Sequence, residues 1–396
     1  MKVLHINSVC GIRSTGRICT DIADILEKNG DLCKIGYGRE SVPEKYEKYA
    51  VRIGDDFSVK RHALMTRIFD NTGHGSRGAT RDFLKWVEEY DPDVIHLHNL
   101  HGYYINLEML FNYLKQAGKP VVWTLHDCWA FTGHCSHFDL ASCYKWKDGG
   151  CNHCPLKKEY PASMLFDRSE KNFCEKRELF SSVEGMTIVA PSQWLADLVK
   201  QSFLKDYPVK VIRNGIDLSA FRSLQSDFRK RYGLTDKILF LGVATAWGKS
   251  KGLYDFYKIN EMKADNEAIV LVGLTSKQIA DLPKGIIGIE RTNSVRELAE
   301  IYSSADVFIN PTYQEVFGLT NVESQACSTP AVTYRSGGSP EGVPDKHVVE
   351  RGNVAALLQR AREVVQAPQL IDVSSFSTDN CYSQYRSLYQ QICDFI

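Results

Sequence analysis

The sequence predicts an α/β protein built from two Rossmann-like halves in tandem. Short apolar strands alternate with helical segments through residues 2–190, and the same alternation begins again near residue 237. Such alternation is typical of parallel sheets covered by helices on both faces. The length of 396 residues fits two domains, because a domain usually takes roughly 100–200 residues.

The first half opens with a buried-strand pattern at residues 2–7 and a glycine-containing loop. A helix is predicted over residues 15–28, because apolar side chains recur there at helical spacing and Gly30 follows as a stop signal. Four more apolar runs are predicted as strands, at residues 32–37, 93–98, 120–125 and 186–190.

The second half repeats this pattern with a strand at 237–243 and a helix near 253–262. The junction is expected near residues 209–221, and a polar, aromatic helix is expected at 376–396. We therefore predict an N-terminal domain of residues 1–210, completed by 376–396, and a C-terminal domain of 211–375. The later strands of the second half are predicted at 268–273, 285–290, 305–310 and 329–334.

Composition and charge exclude several classes of protein. Forty-eight basic and 48 acidic residues give a formal net charge of zero, which disfavours nucleic-acid binding through overall positive charge. No apolar run approaches the roughly 18–20 residues that span a bilayer, and the N-terminal segment lacks the pattern of an export signal. We expect a cytoplasmic protein, in which clustered cysteines indicate metal ligands or buried thiols.

The most informative stretch of the second half runs from residue 310 to 334. Glu315 lies on a loop, Glu323 lies more than a turn into a predicted helix, and that helix begins at Gly318. The N–H groups and dipole at a helix N-terminus can receive a phosphate, and two flanking carboxylates can accept hydrogen bonds from ribose and sugar hydroxyls. The spacing alone is equally compatible with a solvated helix that carries incidental glutamates.

Several motifs together resemble one enzyme family. EVFGLTNVE followed by ACSTPAVTYRSGGSPEGV resembles the E-x7-E region of the family 4 retaining glycosyltransferases, and VIRNGID, HINSVCGIRSTGR and TLHD resemble their domain junction, N-terminal glycine loop and histidine motif. The resemblance covers essentially the whole chain. It implies the GT-B fold, in which two Rossmann-like domains face each other across a cleft and the C-terminal helix returns to the N-domain. HLHNLHGYYIN and LHDCWAFTGHC are similar to stretches of bacterial capsule, exopolysaccharide and lipopolysaccharide assembly enzymes.

The resemblance also implies a donor site for a nucleotide diphosphate sugar. Glu323 would bind the ribose, Glu315 the transferred sugar and Lys251 the diphosphate, and Gly16 would let the N-domain backbone approach the diphosphate. The backbone of the segment Phe317, Gly318, Leu319 and Thr320 would meet the diphosphate and sugar. One departure is that Thr245 stands where the family usually has an arginine, so that Lys249 or Arg13 would have to replace that cation.

The resemblance implies a retaining transfer in which the leaving phosphate helps to deprotonate the acceptor. His126 would face the cleft and orient the sugar or relay a proton, so that His126, Glu315 and Lys251 are the catalytic candidates. No cofactor is expected for catalysis, because the one Asp-x-Asp string, Asp91-Pro-Asp93, precedes a strand, whereas ligands gather at strand carboxyl ends. His96, His98 and His101 are more typical of core and cleft-edge positions than of a metal site.

A cysteine-rich insert occupies residues 128–154. Its closing pair, Cys151 and Cys154, has the Cys-x2-Cys spacing of structural zinc sites, and Cys135 and Cys143 could complete four thiolates. The alternatives are unligated thiols, disulfides and an iron–sulfur cluster. A small zinc module for nucleic acid is disfavoured by the zero net charge.

The acceptor is expected to be a glycan, including one carried on a polyprenyl diphosphate. Residues 58–85 hold six basic and two acidic side chains interspersed with apolar ones, a pattern that suits the anionic inner face of the plasma membrane or, equally, a solvated helix. A nucleotide-sugar epimerase or a glycan phosphorylase on the same fold is the alternative function, because fold does not decide between them.

Overall fold

The computed structural model describes residues 1–147 and 149–394, and these residues divide into two compact units. The first unit comprises Met1–Arg213 and the residues from Tyr382 onward, and the second comprises Asn214–Cys381. Each unit contains one parallel sheet with helices packed against it.

In the described residues, the sheet of the first unit has seven strands in the order β3-β2-β1-β4-β5-β6-β7, and all neighbours are parallel. Its central strands are buried on both faces because helices cover the sheet from each side. The strands are β1 (Lys2–Asn7), β2 (Leu32–Tyr37), β3 (Ala50–Arg52), β4 (Val94–Leu97), β5 (Val121–Thr124), β6 (Met186–Ala190) and β7 (Val209–Val211).

Six helices accompany these strands in the described part of the first unit. The basic segment at residues 58–85 forms parts of two helices, because the chain turns at Asp70, which ends α2 in a left-handed conformation. The helices are α1 (Arg13–Lys28), α2 (Asp56–Phe69), α3 (Arg77–Tyr90), α4 (Leu107–Ala117), α5 (Ser169–Phe180) and α6 (Gln193–Val199).

The second unit contains, among the described residues, a six-stranded parallel sheet in the order β10-β9-β8-β11-β12-β13. Its strands are β8 (Ile238–Val243), β9 (Glu267–Val272), β10 (Ile286–Ile289), β11 (Val307–Asn310), β12 (Ala331–Tyr334) and β13 (Val348–Val349). Its helices are α7 (Phe228–Arg231), α8 (Leu253–Met262), α9 (Ser276–Ala280), α10 (Val295–Ser303), α11 (Leu319–Ala326) and α12 (Val354–Gln366).

The last helix, α13 (Thr378–Cys393), leaves the second unit and continues into the first. Tyr385 and Tyr389 of α13 are buried, and Tyr389 hydrogen bonds to His96 of β4. The predicted two-sheet α/β fold and the returning helix are therefore confirmed. Within the described residues, every helix is too short or too polar to cross a membrane.

Candidate functional site

The predicted donor residues of the second unit meet where β11 ends and α11 begins. Gly318 precedes the helix with a φ of 74° and offers no side chain to cap the first-turn N–H groups. Orphan N–H groups and the helix dipole make such a start attractive to an anion. Leu319 and Thr320 form the first turn and are half-buried, so their backbone lies near the surface of the unit.

Asn321 holds this helix start against its neighbours. Its Oδ1 accepts a hydrogen bond from Asn310 Nδ2 at 2.9 Å, and its Nδ2 donates to the carbonyl and hydroxyl oxygens of Ser339 at 3.0 Å. The side chain is completely buried, so these bonds compete with little solvent. Nothing in the sequence marked Asn321 out, because its partners lie 11 and 18 residues away along the chain.

Lys251 and Glu315 form an ion pair beside this helix start. Lys251 Nζ lies 2.7 Å from Glu315 Oε2, and it also donates to the carbonyl of Gln314 at 3.4 Å. Gly252 makes the pairing possible, because a Cβ there would lie 2.2 Å from the carbonyl oxygen of Pro311. The two loops therefore approach more closely than any other residue would allow. The pair is only partly exposed, with about a third of the lysine accessible.

Glu323 is held by a tyrosine that the sequence did not reveal. Tyr302 at the end of α10 donates its hydroxyl to Glu323 Oε2 at 3.1 Å. Burial, and then the charge of Glu323, raise the pKa of Tyr302 well above its usual value, so the phenol stays protonated as a donor. Phe317 instead points into an apolar cluster with Ile216 and Phe376, which leaves only its backbone for a ligand.

Lys249 and Arg13 are the two other predicted cations. Lys249 is exposed on the same short turn as Lys251, and Thr245 is also exposed. In the first unit, Arg13 pairs with Glu40 at 2.8 Å. The cation that replaces the usual family arginine thus stays a prediction for Lys249 and Arg13 alike.

Gly16 lies in the first turn of α1, against the loop that follows β1. A Cβ at Gly16 would lie 3.1 Å from the Val9 side chain and 3.2 Å from the Gly11 nitrogen. The Gly11 N–H also donates to the Gly16 carbonyl at 3.1 Å. The loop and the helix start therefore pack backbone to backbone. The approach of this backbone to a diphosphate, which the resemblance implies for Gly16, stays a prediction.

His126 follows β5 and is half-buried in the first unit. Its Nε2 lies 3.0 Å from His98 Nδ1. Asp127 Oδ2 lies 2.8 Å from His101 Nε2, and Asp127 Oδ1 accepts the Trp129 N–H at 2.9 Å and so caps the turn there. Burial raises the pKa of Asp127, but the charge and hydrogen bond of His101 outweigh it and bring the pKa to about 2.

A second histidine set lies beneath His126. One ligand nitrogen each of His5, His96 and His98 lies within 4.8 Å of the others, a spacing that a metal ion could use. His5 and His98 already hydrogen bond to each other, and His96 bonds to Tyr389 and Thr124. These contacts account for the cluster as core packing.

The cysteine-rich insert forms a long loop with two single turns of 3-10 helix, Trp129–Phe131 and Asp139–Ala141. The side chain of Cys135 interacts with Cys154 and lowers the pKa of Cys154 to about 7, and the Gly133 N–H donates to Cys151 Sγ at 3.1 Å. Cys143, Cys151 and Cys154 are half-buried, whereas Cys135 is buried. Among the described residues, no three of these four thiols all lie within 4.8 Å of one another, which is the spacing that the three histidines show.

Family models match most of the chain. A model described as Glycosyltransferase Family 4 matches residues 40–220, and one described as Glycosyl transferases group 1 matches residues 235–367. WcaC of Escherichia coli K12, named for colanic acid biosynthesis, is 36% identical over 46% of this chain and 45% of its own. A D-inositol 3-phosphate glycosyltransferase of Stackebrandtia nassauensis is 33% identical over 30% of this chain and 31% of its own. The matches thus span less than half the length of these relatives.

Solved glycosyltransferases share the fold over the whole chain. Anabaena HepE, solved with UDP-glucose, has a TM-score of 0.63 at 15% identity and covers 100% of this chain and 99% of its own. WaaG, a lipopolysaccharide biosynthesis enzyme, has a TM-score of 0.61 at 14% identity with the same coverage. With two family models in chain order on two Rossmann-like units, the chain belongs to the family 4 glycosyltransferases of the GT-B fold.

Proposed function

We propose that this protein is a retaining glycosyltransferase that moves a hexose from a nucleotide diphosphate sugar to a glycan acceptor in surface polysaccharide assembly. The observation that carries the proposal is the uncapped start of α11, with the Lys251–Glu315 pair at the loop that precedes it and Glu323 on the helix itself. The solved neighbour HepE holds UDP-glucose, and WcaC is named for an exopolysaccharide, which supports the donor class and the pathway class.

The charges of the site suit departure of a nucleoside diphosphate. As the bond between sugar and phosphate breaks, negative charge grows on the leaving oxygen, and Lys251 with the α11 N–H groups would stabilise it electrostatically. An oxygen of the leaving diphosphate would accept the acceptor's proton, so that no separate carboxylate base is needed. Glu315 would then bind the sugar hydroxyls, and Glu323 would bind the ribose.

We propose that the transfer is independent of a metal ion. The carboxylates of the Asp-x-Asp string serve the fold instead. Asp91 ends α3 in a left-handed conformation and pairs with Lys119 at 2.7 Å, and Asp93 accepts the Lys2 N–H at 2.7 Å. Addition of a chelator should therefore leave the turnover of donor unchanged.

The donor site is tested by ligand-induced thermal shift over a panel of nucleotide sugars, followed by two substitutions. Lys251→Ala and Glu323→Ala should each weaken the best donor about tenfold or more, because each removes a hydrogen bond to a charged group. Lys258→Ala and Glu261→Ala are matched controls, since both side chains are exposed on α8. Unchanged donor affinity in both site variants would refute the proposed site.

The alternative reactions are separated by incubation without acceptor. A transferase releases the nucleoside diphosphate only by slow hydrolysis under these conditions, whereas an epimerase converts the sugar of the donor itself. A phosphorylase would release a sugar phosphate from a glycan when inorganic phosphate is added. Rapid acceptor-free epimerisation, or phosphorolysis, would replace the proposed transfer with one of these reactions.

We further propose that the first unit docks on the anionic inner face of the plasma membrane. The structure places an exposed apolar patch at the end of α2 and on the segment beside it: the Met164 N–H donates to the Arg67 carbonyl at 2.7 Å, and Phe166 stacks on Phe69 at 5.6 Å. Arg61 and Arg67 are exposed on the same helix. The patch consists of Leu64, Met65, Phe69, Met164, Leu165 and Phe166.

An apolar surface with cations at its edge fits a lipid headgroup layer, because the aliphatic groups insert while the arginines meet lipid phosphates. Arg61→Gln with Arg67→Gln, and separately Met164→Ser with Phe166→Ser, should each reduce sedimentation with phosphatidylglycerol vesicles. Leu32→Ser is the control, since Leu32 is equally exposed elsewhere in the same unit. Vesicle binding that persists in both double variants would exclude this surface.

A further inference from the structure

A continuous chain of imidazole rings runs from His126 into the core of the first unit. His126 Nε2 lies 3.0 Å from His98 Nδ1, and His98 Nε2 lies 2.9 Å from His5 Nδ1. The parallel pairing of β1 and β4 sets His5 opposite His96, and His98 lies two residues further along on the same face. Sheet register therefore fixes the positions of the two inner rings.

The inner rings are sealed from solvent. His5 is 0% exposed and His98 is 2% exposed. Burial lowers the pKa of His5 to about 3 and that of His126 to about 4, and it lowers the pKa of His98 well below its usual value. All three rings are therefore neutral near pH 7, and each carries one N–H and one bare nitrogen.

Neutral rings in such a chain have only two arrangements of protons. If His126 donates from Nε2, then His98 donates from Nε2 to His5, and His5 must carry its proton on its own Nε2. If His5 donates from Nδ1, then His98 donates from Nδ1 to His126, and His126 must carry its proton on Nδ1. The inner end of the chain decides between them, because His5 Nε2 is buried and has no hydrogen-bond partner among the described residues.

A buried N–H without an acceptor is rarer in proteins than an acceptor with a free lone pair. The second arrangement leaves a bare nitrogen at His5 Nε2, whereas the first strands an N–H there. The second arrangement is therefore favoured, with protons on the Nδ1 atoms of His5, His98 and His126.

We propose that His98 and His5 are positioning residues that hold His126 in its Nδ1–H form, so that His126 serves the transfer as a hydrogen-bond donor to a substrate oxygen rather than as a base. This role rests on the proposed function, because a donor on His126 acts on a sugar or phosphate oxygen. A sequence motif cannot reveal this arrangement, since His5 and His98 are 93 positions apart.

The test uses the full chain labelled with ¹⁵N-histidine and long-range ¹H–¹⁵N spectra near pH 7. The His126 signals are those lost in His126→Asn. The expected result is a protonated Nδ1 and a bare Nε2 on His126. A proton on Nε2, or an equal mixture of the two forms, would overturn the proposal. The spectrum needs no substrate, so its result is independent of whether wild-type protein transfers sugar.

A pair of variants adds a kinetic readout. His98→Asn keeps an N–H near the position of Nδ1, whereas His98→Leu keeps neither bond. His98→Leu should lower kcat about tenfold with little change in donor KM, and His126 should no longer be held in its Nδ1–H form. His98→Asn should keep most of the wild-type kcat and most of the Nδ1–H form of His126. Equal losses in the two variants, or no loss in either, would contradict the role. Should His98→Leu fail to fold, the wild-type spectrum and His98→Asn still decide.

Discussion

At the scale of single residues, the second unit uses glycine where backbone must meet backbone. Gly337 has a φ of 55°, and a Cβ there would lie 1.9 Å from the carbonyl oxygen of Glu315. The neighbouring Gly338 N–H donates to that same carbonyl at 3.0 Å. The position of Glu315 in the proposed donor site therefore depends on a residue that carries no side chain.

Gly337→Ala should therefore destabilise the protein and also weaken donor binding. Left-handed backbone alone costs an alanine about 1–2 kcal/mol, and the clash with Glu315 adds to this cost. Gly233→Ala is the matched control, because Gly233 has a φ of 65° but nothing within 4 Å of its Cβ position. Urea unfolding and donor titration should show a loss of stability in both variants and a loss of donor affinity in Gly337→Ala alone. Equal donor affinity in the two variants would contradict the argument.

The sequence motif identifies those residues of the proposed donor site that lie close together along the chain. Glu315, Gly318 and Glu323 lie within one short stretch and were named together. Tyr302 and Asn321, which hold Glu323 and the helix start, were missed because their contacts join separate elements, α10 with α11 and α11 with β11. A single sequence does not show which strands become neighbours in space.

At the scale of elements, α2 is anchored by one buried histidine. His62 Nε2 accepts the N–H groups of Gly73 and Gly75 at 3.1 Å and 3.2 Å, and His62 Nδ1 bonds to Ser76 Oγ at 3.0 Å. Because Nε2 accepts twice, the ring must be neutral. Burial, and then the charge of His74, lower the pKa of His62 from 6.5 to about 4.

The unfolded chain therefore binds a proton between pH 6.5 and 4 that folded His62 does not, and stability contributed by neutral His62 is lost as the pH falls through this window. The full shift corresponds to at most about 3 kcal/mol. His62→Gln should show a smaller loss of unfolding free energy from pH 7 to pH 4.5 than the wild type, while the exposed His153→Gln should follow the wild type. If the unfolding free energies of all three proteins fall in parallel with pH, neutral His62 does not contribute this stability.

The cysteine-rich insert is the element for which a metal stays a prediction. A loop with so little regular structure needs another source of order, and the bonds from Cys135 to Cys154 and from Gly133 to Cys151 bring three of the four sulfurs into one region. We expect about one zinc per chain in purified protein, lost in Cys154→Ser and kept in Cys174→Ser, since Cys174 is exposed on α5. The zinc site would be excluded if the purified protein contained no metal and a chelator left its thermal unfolding unchanged.

Strands and helices were predicted best where the pattern is long. The apolar runs of β1, β2 and β6 coincide with their strands, as does the helical pattern of α8. The strands β3 and β13 were missed, because two or three residues at a sheet edge carry too little pattern to be recognised. The basic segment was expected as one amphipathic stretch, but the turn after Asp70 divides it into α2 and α3.

At the scale of the whole molecule, the repeat of one α/β pattern along the chain predicted two sheets. The insert and the buried tyrosines of α13 follow no such repeat, so sequence periodicity gave no account of their packing.

The zero net charge of the chain bears on how the whole molecule would meet a membrane. Attraction to an anionic surface must come from a local patch such as that on α2, and binding should weaken steeply as salt is added.

The division into two units predicts where a bound donor will slow hydrogen exchange. A ligand stabilises the state that binds it, so peptides that form its site should open less often when it is saturating. With the best nucleotide sugar, we expect the strongest added protection in residues 249–252 and 311–326, which carry Lys251, Glu315 and Glu323. The Lys251→Ala variant at the same donor concentration is the control and should lose most of this protection. Protection confined to the first unit would move the donor site away from the start of α11.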